Sequence, residues 1–320
     1  MARLLRNTFL LIICTAITFS CAENNEPIKL SDHNSIYYWK TTFKIDSADQ
    51  KFLDRHKIDR IYLRMFDIVS EYYRTDSIKS VPHATTIFNS PIPENIEIVP
   101  VTYITVEGLR NMHGYETEYA KLITSRIKAI CNHNNCGKIK ELQLDCDWTS
   151  TTKEIYESLC QHIQESLSKD SIALSITVRL HQLNETPPPC DKGVLMLYNT
   201  GALKNFNTQN SILDIDNVEP YVKKYNGTYP IPLDFAYPTF GWGVKFANGE
   251  FQGIVSENAT TEADNEKIRR ERPKFKEIIK VKRLVEKHIG KPATANILYH
   301  LDQPQLENYT ENEINKILAR

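Results

Sequence analysis

The chain has 320 residues, 41% hydrophobic, 25% charged and 10% aromatic, a balance that excludes a disordered chain, a collagen-like repeat and a disulfide miniprotein. Thirty-nine basic residues against 40 acidic ones leave a formal charge of −1, so no broad basic surface for nucleic acid is expected. There are only 11 glycines, about half the usual share of roughly 7%, and neither G-x-G-x-x-G nor G-x-x-x-x-G-K-[ST] occurs. Gly-rich phosphate cradles are therefore excluded and no cofactor is expected.

Arg3 and Arg6 precede an apolar run over 9–19, which ends abruptly at Ser20 and Cys21. The run is short of the ~20 residues a membrane-spanning helix needs, and 1–20 reads as a secretory signal. A small residue directly before a cysteine at this distance resembles a bacterial lipobox. Cys21 is then the lipidated first residue, 21–34 a polar tether and 35–320 a single domain. An ordinary signal peptide cut nearby, or an uncleaved anchor, is the alternative. Loss of 1–20 leaves 37 basic residues against 40 acidic.

Short apolar, β-rich runs then follow at 36–43, 61–66, 98–104, 142–148, 172–180, 194–198, 231–237 and 296–301. They are rich in Tyr, Ile, Val and Leu, as in strands buried on both faces. Helical spacing of apolar residues predicts helices over 46–56, 115–131, 152–167, 211–225, 274–289 and 310–318. Strand–helix alternation means a parallel sheet, and eight units point to an α/β fold, a (β/α)8 TIM-like barrel. An open doubly wound sheet is the alternative. The connection over 181–193 carries Pro187, Pro188 and Pro189 and has no room for a full helix, so the barrel is expected to be imperfect there. Asn248-Gly249 between apolar runs predicts a small β-hairpin over 242–255, inserted after strand 7. The charge run over 262–272 reads as a solvated helix.

Five cysteines remain after the signal and Cys21: Cys131, Cys136, Cys146, Cys160 and Cys190. Five is odd, so one at least stays unpaired within the chain. Cys131 and Cys136 could close a small loop, since an exported chain can form disulfides. A metal site at Cys131, His133 and Cys136 is the sharper alternative, but no second ligand pair follows and no metal is expected.

In such barrels the C-terminal strand ends build the site. On the fourth strand, alternation sends Asp145, Asp147 and Thr149 inward, and Leu144, Cys146 and Trp148 toward the helices. Two carboxylates inside a barrel suit acid–base work on glycosides; a structural pairing of Asp145 with Arg179 is the competing reading. Arg179, His181 and Gln182 end the fifth strand, with His181 an acid or a partner of Asp147. Asp67 beside Arg64 reads as an ion pair, and Lys40 as a structural partner of Asp145. Tyr37, Tyr38, Trp39, Tyr103, Tyr237 and Trp242 are candidate sugar platforms, with Trp242, between Gly241 and Gly243, expected to be exposed. His300 is expected to face the same mouth.

The stretch 142–149, Leu-Gln-Leu-Asp-Cys-Asp-Trp-Thr, resembles the fourth-strand signature of family 18 glycoside hydrolases, Asp-x-x-Asp-x-Asp-x-Glu. Asp145 and Asp147 match its second and third acids; Leu142 replaces the first, and Thr149 replaces the Glu that donates the proton in that family. Leu-Met-Leu-Tyr-Asn at 195–199 resembles the sixth-strand Met-Thr-Tyr-Asp, and 231–233 with 237–241 is similar to the seventh strand. The chain also resembles Bacteroides-type lipoproteins with barrels of this kind. The resemblance implies Asp145, Asp147 and Tyr198 as catalytic residues, with Tyr198 steadying an acetamido group. Together with the strand-end reading it leaves Arg179, His181, Asn199, Asp234, Tyr237 and Trp242 as the expected substrate-binding residues. Without the family Glu, Glu107, Asp234 and Asp302 are the candidate replacement acids. The expectation is an outer-membrane lipoprotein of the cell envelope that acts on or binds a glycan, N-acetylated sugars being one class. A catalytically inactive glycan binder, or a scaffold for other envelope proteins, is the alternative. Its partners are then an oligosaccharide, the membrane through the lipid, and envelope proteins.

Overall fold

A computed structural model describes residues 33–73, 77–225, 229–261 and 263–320. The expected signal peptide, Cys21 and nearly all of the expected tether lie outside the described residues. Eight parallel strands form a closed barrel: β1 (Asn34–Tyr38), β2 (Ile58–Tyr73), β3 (Glu97–Ile104), β4 (Glu141–Cys146), β5 (Ala173–Val178), β6 (Lys192–Met196), β7 (Leu233–Pro238) and β8 (Asn296–Tyr299). Closure is direct, because β1 pairs on one side with β2, Ile36 opposite Ile61, and on the other with β8, Ile36 opposite Leu298. The open doubly wound alternative therefore falls.

Helices cover the outside. Ser47–Arg55 starts on a reciprocal cap: the Asp46 carboxylate accepts from the amides of Ala48 and Asp49, and Asp49 accepts from the Asp46 amide. Helices Glu116–His133 and Lys153–Ser168 bury Ile123, Ile127, Leu159 and Ile163 against the sheet, and Phe275–His288 does the same with Ile278, Val281 and Val285. The connection after β5 is one 3₁₀ turn, Leu180–Asn184, in keeping with the three prolines beyond it.

Two features depart from the sequence reading. The second strand runs on past the barrel to Tyr73 and turns back antiparallel through Ser77–His83. The charge run over 262–272 is not a helix. Its Glu266–Glu271 segment is the third strand of the insertion, paired with Trp242–Ala247, which also pairs with Glu250–Val255. Long basic side chains lie over aromatic rings there, the Arg269 guanidinium over Phe246 at 5.0 Å and the Lys267 ammonium over Phe206 at 4.5 Å, cation–π contacts that hold the strand to its neighbours. The Asn248-Gly249 turn has both residues at positive φ, 51° and 82°, as a tight hairpin demands.

Side-chain alternation divides the core. Leu144, Cys146 and Trp148 pack toward the helices, as alternation predicts, whereas Tyr37, Tyr62, Val99, Val101, Val194, Met196 and Ile297 fill the lumen. The N-terminal end of the lumen is charged. Lys192, Glu141 and Asp234 are each at most 1% exposed. Lys192 Nζ lies 3.0 Å from Glu141, 3.1 Å from Asp234 and 3.0 Å from the Tyr62 hydroxyl.

Candidate functional site

The other end of the lumen opens. A cleft of about 330 Å³ lies over the strand ends, lined by Tyr103 of β3, Asp147 after β4, Arg179 and His181 after β5, Met196 of β6 with Tyr198 and Asn199 beyond it, and Tyr221 of helix Ile215–Lys224. That volume falls in the lower part of the range for small-ligand sites.

Alternation along β4 and β5 builds its floor. Asp145 is buried at 5% exposure; its Oδ1 accepts from the Thr177 hydroxyl at 2.6 Å and from Arg179 Nη2 at 2.8 Å. Burial opposes the charge on Arg179, but Asp145, Tyr198 and Asp147 around it hold the guanidinium more firmly protonated than usual. Asp145 is thus committed to a structural ion pair beneath the cleft, the competing reading of its role. Asp147 stands free of that pair, exposed, with His181 Nε2 at 3.6 Å from Oδ1. Thr149 is exposed, and its hydroxyl shares a 2.9 Å hydrogen bond with that of Thr151.

An aromatic wall rises beside these groups. Tyr198 meets Tyr299 at 4.5 Å between ring centroids and Phe240 at 6.0 Å, and Phe240 meets Trp242 at 5.3 Å. Trp39 reaches Tyr299 at 5.7 Å. Burial and the neighbouring Tyr299 push the Tyr198 hydroxyl well above its ordinary range, and burial with Asp145 raises Tyr103. Both phenols are neutral donors at any physiological pH.

The structure brings Asp147, Arg179, His181, Tyr198 and Asn199 together around the cleft, with Asp145 under it. Three other expected site residues lie elsewhere. Asp234 is the second residue of β7, at the closed end of the lumen; it accepts from the amides of Thr294 and Ala295 and the Thr294 hydroxyl, so it is a structural anion with no access to a ligand. Tyr237 points outward, because Ala236 takes the lumen position; its ring lies under Lys282 at 5.9 Å. Trp242 is half-buried rather than exposed, and its indole N–H donates to Glu271 at 3.0 Å, which turns it into the insertion and away from the cleft lining.

The other candidates also resolve. Lys40 pairs with Asp302 at 2.8 Å, not with Asp145. Arg64 and Asp67 form the expected ion pair. His300 turns away from the lumen and Tyr299 faces it. Glu107 is exposed on helix Val106–Arg110, and of the candidate replacement acids none lines the cleft. Tyr221 went unnoticed in the sequence; its signal was an aromatic side chain on the polar side of an amphipathic helix.

No family model matches the sequence, and no curated protein matches it. Solved structures do. A chitinase from Chromobacterium violaceum superposes with a TM-score of 0.56 at 11% identity, over 91% of this chain and 100% of that one. The spore cortex-lytic enzyme SleL of Bacillus megaterium gives 0.55 at 13%, over 92% and 76%. The GH18 chitinase ChiB of Flavobacterium johnsoniae gives 0.54 at 14%, over 90% and 94%. At such identities the likeness is one of fold: this chain has the same α/β barrel as these enzymes.

Proposed function

We propose that this chain is a glycan-binding barrel of the chitinase-like type that holds an oligosaccharide in the cleft without hydrolysing it efficiently. The observation that carries this reading is the cleft lining: polar donors and aromatic rings around a single carboxylate, Asp147. Hydrolysis of a glycoside needs an acid for the leaving oxygen beside a second group that stabilises the developing cation. Thr149 stands where the related family keeps that acid, and a hydroxyl cannot donate usefully near neutral pH. The loss of a general acid costs roughly 10²–10⁴-fold. Binding needs none of this: Asp147, Asn199 and Arg179 offer hydrogen bonds, and Tyr103, Tyr198 and Tyr221 offer apolar faces to pyranose C–H groups. N-acetylated sugars are the class that the resemblance of Tyr198 to an acetamido-steadying tyrosine favours.

The expected setting is the cell envelope, as in the Bacteroides-type lipoproteins the sequence resembles, with Cys21 lipidated and other envelope proteins as neighbours. Labelled palmitate should enter the wild type and not Cys21→Ser; incorporation into the variant would remove the anchor from the proposal.

Calorimetric titration of chitooligosaccharides, with hydrolysis of an aryl chitobioside measured in parallel, tests the function. Binding without turnover is expected, weakened at least tenfold by Asp147→Asn or Tyr198→Ala. Thr149→Glu should create or increase turnover, because its carboxyl would stand on the same face as Asp147 and the like charge would raise one pKa. The 3.6 Å approach of His181 to Asp147 favours one second reading, in which the imidazolium supplies the missing proton. Wild-type turnover that His181→Ala abolishes would establish it. Absence of any sugar binding would overturn the glycan assignment and leave an envelope scaffold.

A further inference from the structure

Helix Glu116–His133 ends in a backbone pattern that brings two cysteines together. Asn135 takes a left-handed φ of 51°. The Cys136 amide donates to the Cys131 carbonyl at 2.9 Å, and the Asn135 amide to the Asn132 carbonyl at 3.4 Å. These two bonds define a Schellman ending, in which the side chains at the first and last positions of the motif commonly meet in an apolar contact. Both positions are cysteine in this chain. Each is 3% exposed and lies in the main core, both are free thiols in the structure, and each shifts the titration of the other. The turn between them is open to solvent, with Asn132, His133 and Asn135 exposed.

We propose that Cys131 and Cys136 are a disulfide-forming pair that staples the end of this helix, oxidised by exchange with an external disulfide such as glutathione disulfide. The neighbouring Cys131 lowers the Cys136 thiol below its ordinary range, while Cys136 and burial raise Cys131. Cys136 is therefore the attacking sulfur. Its thiolate bonds to one sulfur of the external disulfide, whose S–S bond breaks and whose second sulfur leaves as a thiolate. Cys131 then loses its proton and attacks the Cys136 sulfur of the mixed disulfide, expelling the second external thiolate. The two protons from the chain end on the two released thiolates. The chain gives up two electrons and the external disulfide becomes two thiols. The remaining cysteines are poorer nucleophiles: burial pushes Cys146 and Cys160 up, and burial with Asp191 pushes Cys190 up to about 12. The pair depends on the expected export of the chain for its oxidising surroundings and is independent of the glycan reading.

The test equilibrates the full chain with glutathione disulfide, denatures it, alkylates the free thiols and maps the peptides by mass spectrometry. A linked Cys131–Cys136 peptide is expected, with Cys146, Cys160 and Cys190 alkylated. Dithiothreitol should then lower Tm by about 4 °C, the entropy of a small closed loop spread over a chain of this size. Cys131→Ala/Cys136→Ala should abolish that response to reductant. Alkylation of both Cys131 and Cys136, or either of them linked to any other cysteine, would overturn the proposal. The mapping needs only the wild type, so a poorly folding variant does not blunt it.

Discussion

His300 carries a buried imidazole whose Nδ1 has no partner, and burial pushes its pKa down to about 4, with Lys40 opposing protonation and Asp302 favouring it. In the unfolded chain an imidazole titrates near ~6.5. The folded state therefore resists protonation that the unfolded state accepts. The stability tied to this group is complete above about pH 6.5 and is lost as pH falls toward about 4, by about 3 kcal/mol in all. Tm measured between pH 7 and pH 4 should fall more steeply in the wild type than in His300→Asn. Parallel curves would show that His300 does not titrate across that window. The same residue illustrates what alternation does and does not reveal. Parity of two along a strand puts Asp145 and Asp147 on one side, as the structure has them, and it separates Tyr299 from His300 once the strand is fixed. It carries no information on height. Asp234 has the right parity but sits at the start of its strand, where the lumen is closed by Lys192 and Glu141. Only the offset of each strand against its neighbours distinguishes a ligand-facing carboxylate from a buried structural one.

At the level of elements, one buried carboxylate helps anchor the inserted sheet to the loop after β6, beside the bonds from Arg269 to the carbonyls of Leu203, Asn205 and Phe206. Glu271 is 2% exposed. It accepts from the Ser211 amide at 2.8 Å and hydroxyl at 2.5 Å, from the Trp242 indole at 3.0 Å and from Arg269 at 2.5 Å. Glu271→Ala leaves the Ser211 and Trp242 donors without this acceptor, while Arg269 keeps the carbonyls of Leu203, Asn205 and Phe206; each buried donor left unpaired costs about 1–3 kcal/mol. Hydrogen exchange should show protection in Trp242–Ala247 and Glu266–Glu271 reduced about 30-fold or more, a loss of about 2 kcal/mol, with β4 unchanged. Equal loss in β4 would mean that the insertion and the barrel open as one unit. The first two strands of this insertion were legible from Asn248-Gly249. The third was not, because Glu-Lys-Ile-Arg-Arg-Glu offers one apolar residue, and the charged heads of Lys267 and Arg269 make its contacts with aromatic rings. The barrel strands were legible for the opposite reason: they are buried on both faces, and their apolar runs need no partner to be recognised.

Across the whole molecule, the two ends of the lumen are built for different purposes. The mouth keeps Asp147 and His181 more than half exposed, whereas the closed end holds Lys192 against Glu141, Asp234 and Tyr62 with no water access. Burial opposes the charge on Lys192, but Glu141, Tyr62 and Asp234 outweigh it and hold the ammonium well above its ordinary range. Arg60 adds a second cation, 2.7 Å from Glu97 and 3.6 Å from Glu141. These contacts tie β2, β3, β4, β6 and β7 together across the lumen, so their loss is felt by the closure of the whole sheet. Lys192→Met removes one cation and leaves Glu141 facing Asp234 in a low-dielectric interior. Breaking a buried pair in this way costs about 3–5 kcal/mol, which should lower the urea midpoint with an unchanged slope. Lys192→Met/Glu141→Gln takes away the stranded charge as well, while Asp234 keeps the amides of Thr294 and Ala295. The double variant should therefore be more stable than the single one, a coupling that identifies charge rather than volume as the cause. A double variant that loses the sum of the two single losses would instead assign the closed end to packing. The sugar affinity proposed for the mouth should be unaltered in both, since no residue of this network lines the cleft.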